Sequence, residues 1–313
     1  MLFKSLPAPA VIGLWALFAC TFTALTSEVA PVGILIDMAR AFHIAEGKAG
    51  LAVSAFALMV AVGAVPLTIL TAHIDRKRLM VVSLAGYVLS NLVMAMAPTF
   101  VLVCAGRMIG GVAHALLMSI VSAYAARLVP QAMTGRAISF VYGGTSLGAV
   151  LGVPGMAAAG QLVGWRAAMF TLAGLSMVLT LCIAFFLPPV SSPVQVRETL
   201  PAMRSHRTMR IFMVVVVVNG VFFIAHNLLY TYVTPLLLDH GLPGGALSAA
   251  LLLIGGTSIL GLWGAGQLVD RNPAAGVLAG GLAMLAGMGL MYGHIISGWV
   301  AVGAVGLWCI GYS

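Results

Sequence analysis

The chain has 313 residues, of which 62% are hydrophobic and only 7% charged. Soluble domains carry roughly 25% charged residues, so this chain cannot cover a water-facing globule with charge, and a mean hydropathy of +1.12 suits lipid instead. The formal net charge of +8 does not point to nucleic acid: the Lys and Arg residues sit in short clusters between long apolar runs and form no basic stripe with interleaved aromatics. Cys20, Cys104, Cys182 and Cys309 each stand alone in an apolar run. None has a partner at metal-ligand spacing, so neither a metal nor a cofactor is expected.

A helix needs about 20 apolar residues to cross a bilayer. In chain order the runs that meet this are residues 10–36, 49–72, 79–97, 99–126, 137–160, 166–187, 211–235, 246–269, 274–293 and 298–313. The first run is longer than the apolar core of a signal peptide and reads as a retained helix. Short alternating segments, the mark of a barrel, do not occur. With the N-terminus in the cytoplasm, Lys4, Arg76, Lys77, Arg78, Arg127, Arg136, Arg197, Arg204, Arg207, Arg210 and Arg271 fall inside, while only Arg40, Lys48 and Arg166 fall outside. Positive charge collects on the cytoplasmic side of membrane proteins, so this orientation is favoured.

The stretch PPVSSPVQVRETLPAMRSHRTMR, residues 188–210, combines Pro, Ser and Arg and reads as a cytoplasmic linker. Its arginines would attract anionic lipid. It separates a six-helix bundle, residues 1–187, from a C-terminal bundle, residues 211–313. The second bundle holds fewer spans and stops inside an apolar run, as a truncated product or fragment would.

Signals recur between the two parts. LTAHIDRKRLM places Asp75 and Arg76 after the second span, and GAGQLVDRNPA places Asp270 and Arg271 after the eighth. Pro31 lies near the end of the first span and Pro235 near the end of the seventh. A duplicated six-helix unit would explain both, and parallel repeats are one transporter architecture.

Four stretches carry a family resemblance: TSEVAPVGILIDMARAFHIAEGKAGLAVSAFAL, with its acidic residue late in the first span; the DRKR loop; GRMIGGVAHALLMSIVSAYAARLVP; and GGTSLGAVLGVPGMAAAGQLVGWRAAMF. Together they resemble the major facilitator superfamily, in particular the bacterial drug and sugar efflux proton antiporters of the arabinose efflux permease-like group. The loop motif of that family starts with Gly four residues before the Asp; here Thr71 stands there, whereas the second copy keeps Gly266. The resemblance implies an all-α integral membrane, two-bundle transporter with about ten of the family's twelve helices, two bundles of six, present in this chain. It implies a multi-pass monomer in a bacterial inner membrane, in contact with lipid, protons and a small solute such as a sugar, drug or metabolite, exported by alternating access.

Candidate residues follow from the cost of polar groups in hydrocarbon. Glu28 is a carboxylate inside a span, and such groups face a cavity or a partner; it could take up and release the coupling proton, unless it lies hydrated near the outer interface. Arg107 lies about 12 Å into the fourth span at the helical rise. It must find a carboxylate, a carbonyl or water, or snorkel outwards. In the resembled family the matching Arg is tied to proton coupling. The resemblance makes Asp75, Arg76 and Arg78 a cytoplasmic gate, with Asp270 and Arg271 the second copy; plain topology would also place basic residues there. Gly144, Gly148 and Gly152, followed by Pro154 and Gly155, give a smooth helix strip for close packing, which the resemblance links to a flexing, leak-proof interface. His114, His226 and Asn227 are polar within spans and could bond a solute or relay a proton, although a lone His in a helix bundle is more often a packing residue; Tyr142 and Tyr230, with Trp15 and Tyr232, could line a substrate cavity, and Tyr and Trp are also routine at membrane interfaces.

A membrane-embedded enzyme would need a nucleophile with its base, or a metal cluster, and neither an HExxH nor a His/Asp cluster within the spans occurs. A channel would need a filter or a charged ring, and a pump a phosphate loop; neither is evident.

Overall fold

A computed structural model describes the backbone of residues 6–187, 206–271, 273–292 and 297–312. Every regular element among them is helical. The helices are α1 (Ala8–Gly33), α2 (Leu35–Ala41), α3 (Glu46–Ala49), α4 (Leu51–Leu70), α5 (Arg76–Met96), α6 (Phe100–Arg127), α7 (Thr134–Val163), α8 (Trp165–Phe186), α9 (His206–Thr231), α10 (Val233–Asp239), α11 (Leu247–Arg271), α12 (Pro273–Tyr292) and α13 (Gly298–Tyr312). Hydrocarbon permits few other choices, since each backbone N–H and C=O must be satisfied within its own segment.

Seven described helices are long and apolar enough to cross a membrane, and a bent pair within α9 and α10 makes eight. The six spans expected before the linker are all among them. The expected eighth and tenth spans hold shorter apolar helices, Gly244–Ser258 and Gly298–Tyr312, within the described residues. Most of the expected linker, residues 188–205, lies outside the described residues, and α9 begins at His206.

The chain divides into two compact units, Met1–Ser192 with Gly245–Leu252, and Pro193–Gly244 with Leu253–Ser313. In the first, α1 packs on α7, α6 on α4 and α5, and α5 on α8. Leu14, Leu17, Tyr87, Leu117, Ile120, Tyr124 and Val141 fill one core, and Met38, Met94, Phe100, Val103, Met156 and Met169 another. In the second unit, α12 packs along α13. Those two helices touch where Gly280 meets Gly311, and a side chain on either would enter the other's backbone.

One pair of helix breaks matches between the two parts, in a register different from the one the prolines suggest. Helix α1 breaks at Ile34 (φ −115°, ψ 17°), and α9 breaks at Tyr232 (φ −105°, ψ 15°). Each break opens a seven-residue helix. Each of these closes with the same bonds: Phe42 N to Met38 O, His43 N to Arg40 O and Ile44 N to Ala39 O in one, and His240 N to Leu236 O, Gly241 N to Leu238 O and Leu242 N to Leu237 O in the other. In this register Pro31 precedes its break while Pro235 follows its own, so the two prolines are not equivalent. The left-handed residue of the cap is His43 (φ 52°) in one copy and Gly241 (φ 80°) in the other. Only glycine adopts that region without the Cβ penalty. Gly241→Ala is therefore expected to lower stability by about 1–2 kcal/mol, read as an earlier thermal transition in detergent, and His43→Gly is expected to be neutral or stabilising. An unchanged melt for Gly241→Ala would contradict this account of the cap.

Candidate functional site

Helix α1 carries Pro31 in its interior. Proline has no N–H, so the carbonyl four residues earlier, that of Ser27, loses its helical donor. A buried carbonyl without a partner is costly. Arg107, on α6 and 1% exposed, supplies the missing donor. Its Nη1 donates to Ser27 O at 2.7 Å, its Nη2 to Glu28 O at 2.7 Å and its Nε to Ala52 O on α4 at 3.1 Å. Its guanidinium carbon lies 4.1 Å from the centre of the Phe56 ring, a cation–π contact. Of the partners open to a buried arginine, the structure selects main-chain carbonyls; the guanidinium binds the Glu28 backbone, not its carboxylate.

The Glu28 carboxylate turns instead to an imidazole. Its Oε2 lies 3.6 Å from Nε2 of His114, with the Glu28 side chain 30% and that of His114 10% exposed. On its other edge His114 meets Tyr87, whose Oη lies 2.8 Å from Nδ1. Phe56 covers the imidazole edge-on at 5.3 Å between ring centres. Asn91 on α5 donates to the Ser27 hydroxyl at 3.1 Å, and the Ser90 hydroxyl to Gly106 O at 2.8 Å. Thus α1, α4, α5 and α6 converge on a buried polar cluster that contains one carboxylate, one permanent cation and one imidazole.

Two of the predicted residues, Glu28 and Arg107, meet here, and His114, expected in a cavity, joins them. Tyr87, Asn91, Phe56 and Ser27 belong to the cluster but were not singled out by sequence. The signal for Tyr87 and Asn91 was available, since each puts a hydrogen-bonding group inside the third apolar run.

The glycine strip on α7 faces α1. A Cβ at Gly144 would collide with Phe18 O and Thr21 Oγ1, one at Gly148 would lie 2.9 Å from Phe22 O, and one at Gly152 would lie 2.9 Å from a Val29 methyl. The Thr21 hydroxyl donates across the gap to Val141 O at 2.6 Å. Pro154 is buried in the same helix, whereas a Cβ at Gly155 would meet nothing within 4 Å. Gly155 is therefore not part of the contact.

In the loop before α5, Asp75 caps its own helix, its carboxylate accepting from the Arg78 N–H at 3.0 Å. Arg76 is 5% exposed, and its Nε has no hydrogen-bond partner among the described residues. The loop lies beside the C-terminal end of α6, with Asp75 in electrostatic reach of Tyr124 and Arg76 of Arg127. The side chains of Asp270 and Arg271 lie outside the described residues. Tyr142 packs half-buried against the first unit's core. In the second unit His226 is stacked on Tyr312 at 3.7 Å and on Tyr230 at 5.4 Å between ring centres. Asn227 donates back to Phe223 O of its own helix. Among the described residues no group of three or more His, Cys, Asp or Glu converges to hold a metal.

The family model for the Major Facilitator Superfamily matches residues 17–313. The chain is 34% identical over 279 residues to a chloramphenicol efflux pump of Mycobacterium tuberculosis strain H37Rv, covering 88% of this chain and 67% of the relative. A chloramphenicol efflux pump from strain CDC 1551 / Oshkosh is 32% identical over 278 residues, with the same coverage. Among solved structures, a bacterial homologue of the human lysosomal transporter Spinster, inward-facing and unoccupied, aligns with a TM-score of 0.74 at 15% identity, covering 97% of this chain and 74% of that one. The xylose transporter XylE from E. coli, in a partially occluded inward-open conformation, aligns with a TM-score of 0.73 at 14% identity, covering 98% and 82%. At those identities the structural likeness speaks for the fold alone. An all-helical chain with a buried intramembrane charge cluster, matched by the family model over nearly its whole length, is a multi-pass membrane transporter of the Major Facilitator Superfamily.

Proposed function

We propose that the protein exports a small solute from a bacterial cytoplasm in exchange for protons, working as a monomer by alternating access, with its N-terminus inside. The observation that carries this reading is the Glu28 carboxylate, partly open and set against His114 in an otherwise buried cluster. An intramembrane carboxylate with water access is the group a proton antiporter requires. Protonation and solute binding would compete for it. Arg107 would hold α1 in place through the Ser27 and Glu28 carbonyls while the carboxylate changes state. The glycine strip would let α7 slide on α1 without opening a leak, and Asp75, Arg76 and Arg78, with Asp270 and Arg271, would latch the cytoplasmic side. His226, Asn227 and Tyr230 are the second unit's candidates for solute contact. The distribution of Lys and Arg along the sequence supports the orientation.

The two relatives named as chloramphenicol efflux pumps make that compound the first solute to try. In everted vesicles, uptake of radiolabelled chloramphenicol is expected to follow an imposed proton gradient and to collapse with an uncoupler. Glu28→Gln, which is never ionised, is expected to bring gradient-driven uptake to background while leaving the protein folded. Uncoupler-sensitive uptake by Glu28→Gln at the unmutated rate would end the proton-exchange reading.

A further inference from the structure

We infer that Tyr87 is a positioning residue that fixes the tautomer of His114 and so sets the pH at which the Glu28 carboxylate exchanges its proton. The inference rests on the reading of Glu28 given above and assigns the control of that carboxylate to a residue that reaches it through His114.

Tyr87 is fully buried, and its hydroxyl has the Nδ1 of His114 at 2.8 Å. A phenol can donate one hydrogen and accept others. If Nδ1 carried the hydrogen and donated it to Tyr87, the phenolic hydrogen would need a second acceptor. The structure gives the hydroxyl none among the described residues, and a buried donor without a partner is costly. The O–H therefore donates to Nδ1. A neutral imidazole with an acceptor at Nδ1 carries its hydrogen at Nε2, which is the atom 3.6 Å from Glu28 Oε2. At that distance the contact is electrostatic rather than a hydrogen bond, and the N–H dipole points its positive end at the carboxylate.

The other groups facing the ring leave this bond in control of the tautomer. Phe56 on α4 presents an edge, and Arg107, on the same helix as His114, donates its Nε, Nη1 and Nη2 hydrogens to Ala52, Ser27 and Glu28 carbonyls. Cys20 on α1 lies in electrostatic reach of Tyr87 and Cys104 in reach of Arg107; no contact of either with the imidazole is seen. An interaction with the charged form of an acid favours that form. Tyr87, through His114, thus favours ionised Glu28. Without the hydroxyl the imidazole can turn its bare nitrogen to the carboxyl and accept a hydrogen bond from the protonated acid, which favours that form.

The test is an infrared pH titration of the purified protein in lipid, with the Glu28 carboxyl band identified by its loss in Glu28→Gln. Tyr87→Phe is expected to move the midpoint of that band to higher pH, by about half a unit or more. His114→Gln places an amide N–H where Nε2–H stood and has no tautomer to choose. In that background Tyr87→Phe is expected to leave the midpoint where His114→Gln alone puts it. A merely structural role for Tyr87 would shift both backgrounds alike. An unmoved midpoint in Tyr87→Phe, or an equal shift in both backgrounds, overturns the inference and leaves Glu28 as the proton carrier. Absence of any titrating band that Glu28→Gln removes overturns the Glu28 reading and the inference with it. Should Tyr87→Phe not fold, the nitrogen-15 spectrum of labelled histidine in the unmutated protein decides: the His114 signals, assigned by their loss in His114→Gln, are expected to show protonated Nε2 and bare Nδ1, and the opposite tautomer overturns the inference.

Discussion

Arg107→Lys is expected to destabilise the protein by about 2–5 kcal/mol, even though it preserves charge. Arginine here uses Nε, Nη1 and Nη2 on carbonyls of two other helices. Lysine is a point donor on a flexible stem and cannot reproduce that fork. Each hydrogen bond to a charged group is worth about 1.5–3 kcal/mol, and at least one carbonyl would lose its partner. The carbonyl with most to lose is Ser27 O, because Pro31 offers it no amide. That makes a sharper version possible. Pro31→Ala returns an N–H to the helix, so the double variant is expected to recover part of what Arg107→Lys loses. Thermal melting in detergent reads both. If Pro31→Ala worsens Arg107→Lys by the same amount as it worsens the unmutated protein, the arginine is not standing in for the missing amide.

Gly144→Val is expected to cost about 3 kcal/mol or more and to prevent α7 from seating on α1. Overpacking a well-filled contact costs about 1–3 kcal/mol and sometimes more. Here the obstacles are a backbone carbonyl, Phe18 O, and a hydroxyl already bonded across the interface to Val141 O. Neither can swing aside as a long side chain would. Gly155→Val is the matched control, since a Cβ there meets open space, and it is expected to behave as the unmutated protein. Size-exclusion profiles and melting of the two variants separate them; equal behaviour would show that the spacing of the glycines does not serve this contact.

The fold was legible wherever one long apolar run makes one helix, because hydrocarbon leaves a chain of that length little else to do. Glu28 and Arg107 stood out for the same reason, as charges in apolar surroundings. The choice among Arg107's possible partners was not legible. It follows from Pro31, whose missing amide makes a carbonyl on α1 a better partner than the neighbouring carboxylate. Tyr87 and Phe56 were passed over because an aromatic residue in a membrane helix is unremarkable until its neighbour is known. The glycine spacing announced a close contact, but not that α1 is the partner, nor that Gly155 lies off the strip. The matching of Pro31 with Pro235 shows the limit of motif reading: the helix breaks at Ile34 and Tyr232 correspond in backbone angles and closing bonds, and the prolines fall on opposite sides of them.

Because the hydrogen-bond partners of Arg107 are neutral carbonyls, the negative charge near it among the described residues is the Glu28 carboxylate. If the carboxylate gains a proton while His114 stays neutral, the cluster goes from electroneutral to a net single positive charge. For an uncharged solute, one turnover would then move current across the membrane. Voltage should drive transport with no pH difference present, each 100 mV contributing about 2.3 kcal/mol per charge moved, and a potassium–valinomycin clamp would register it.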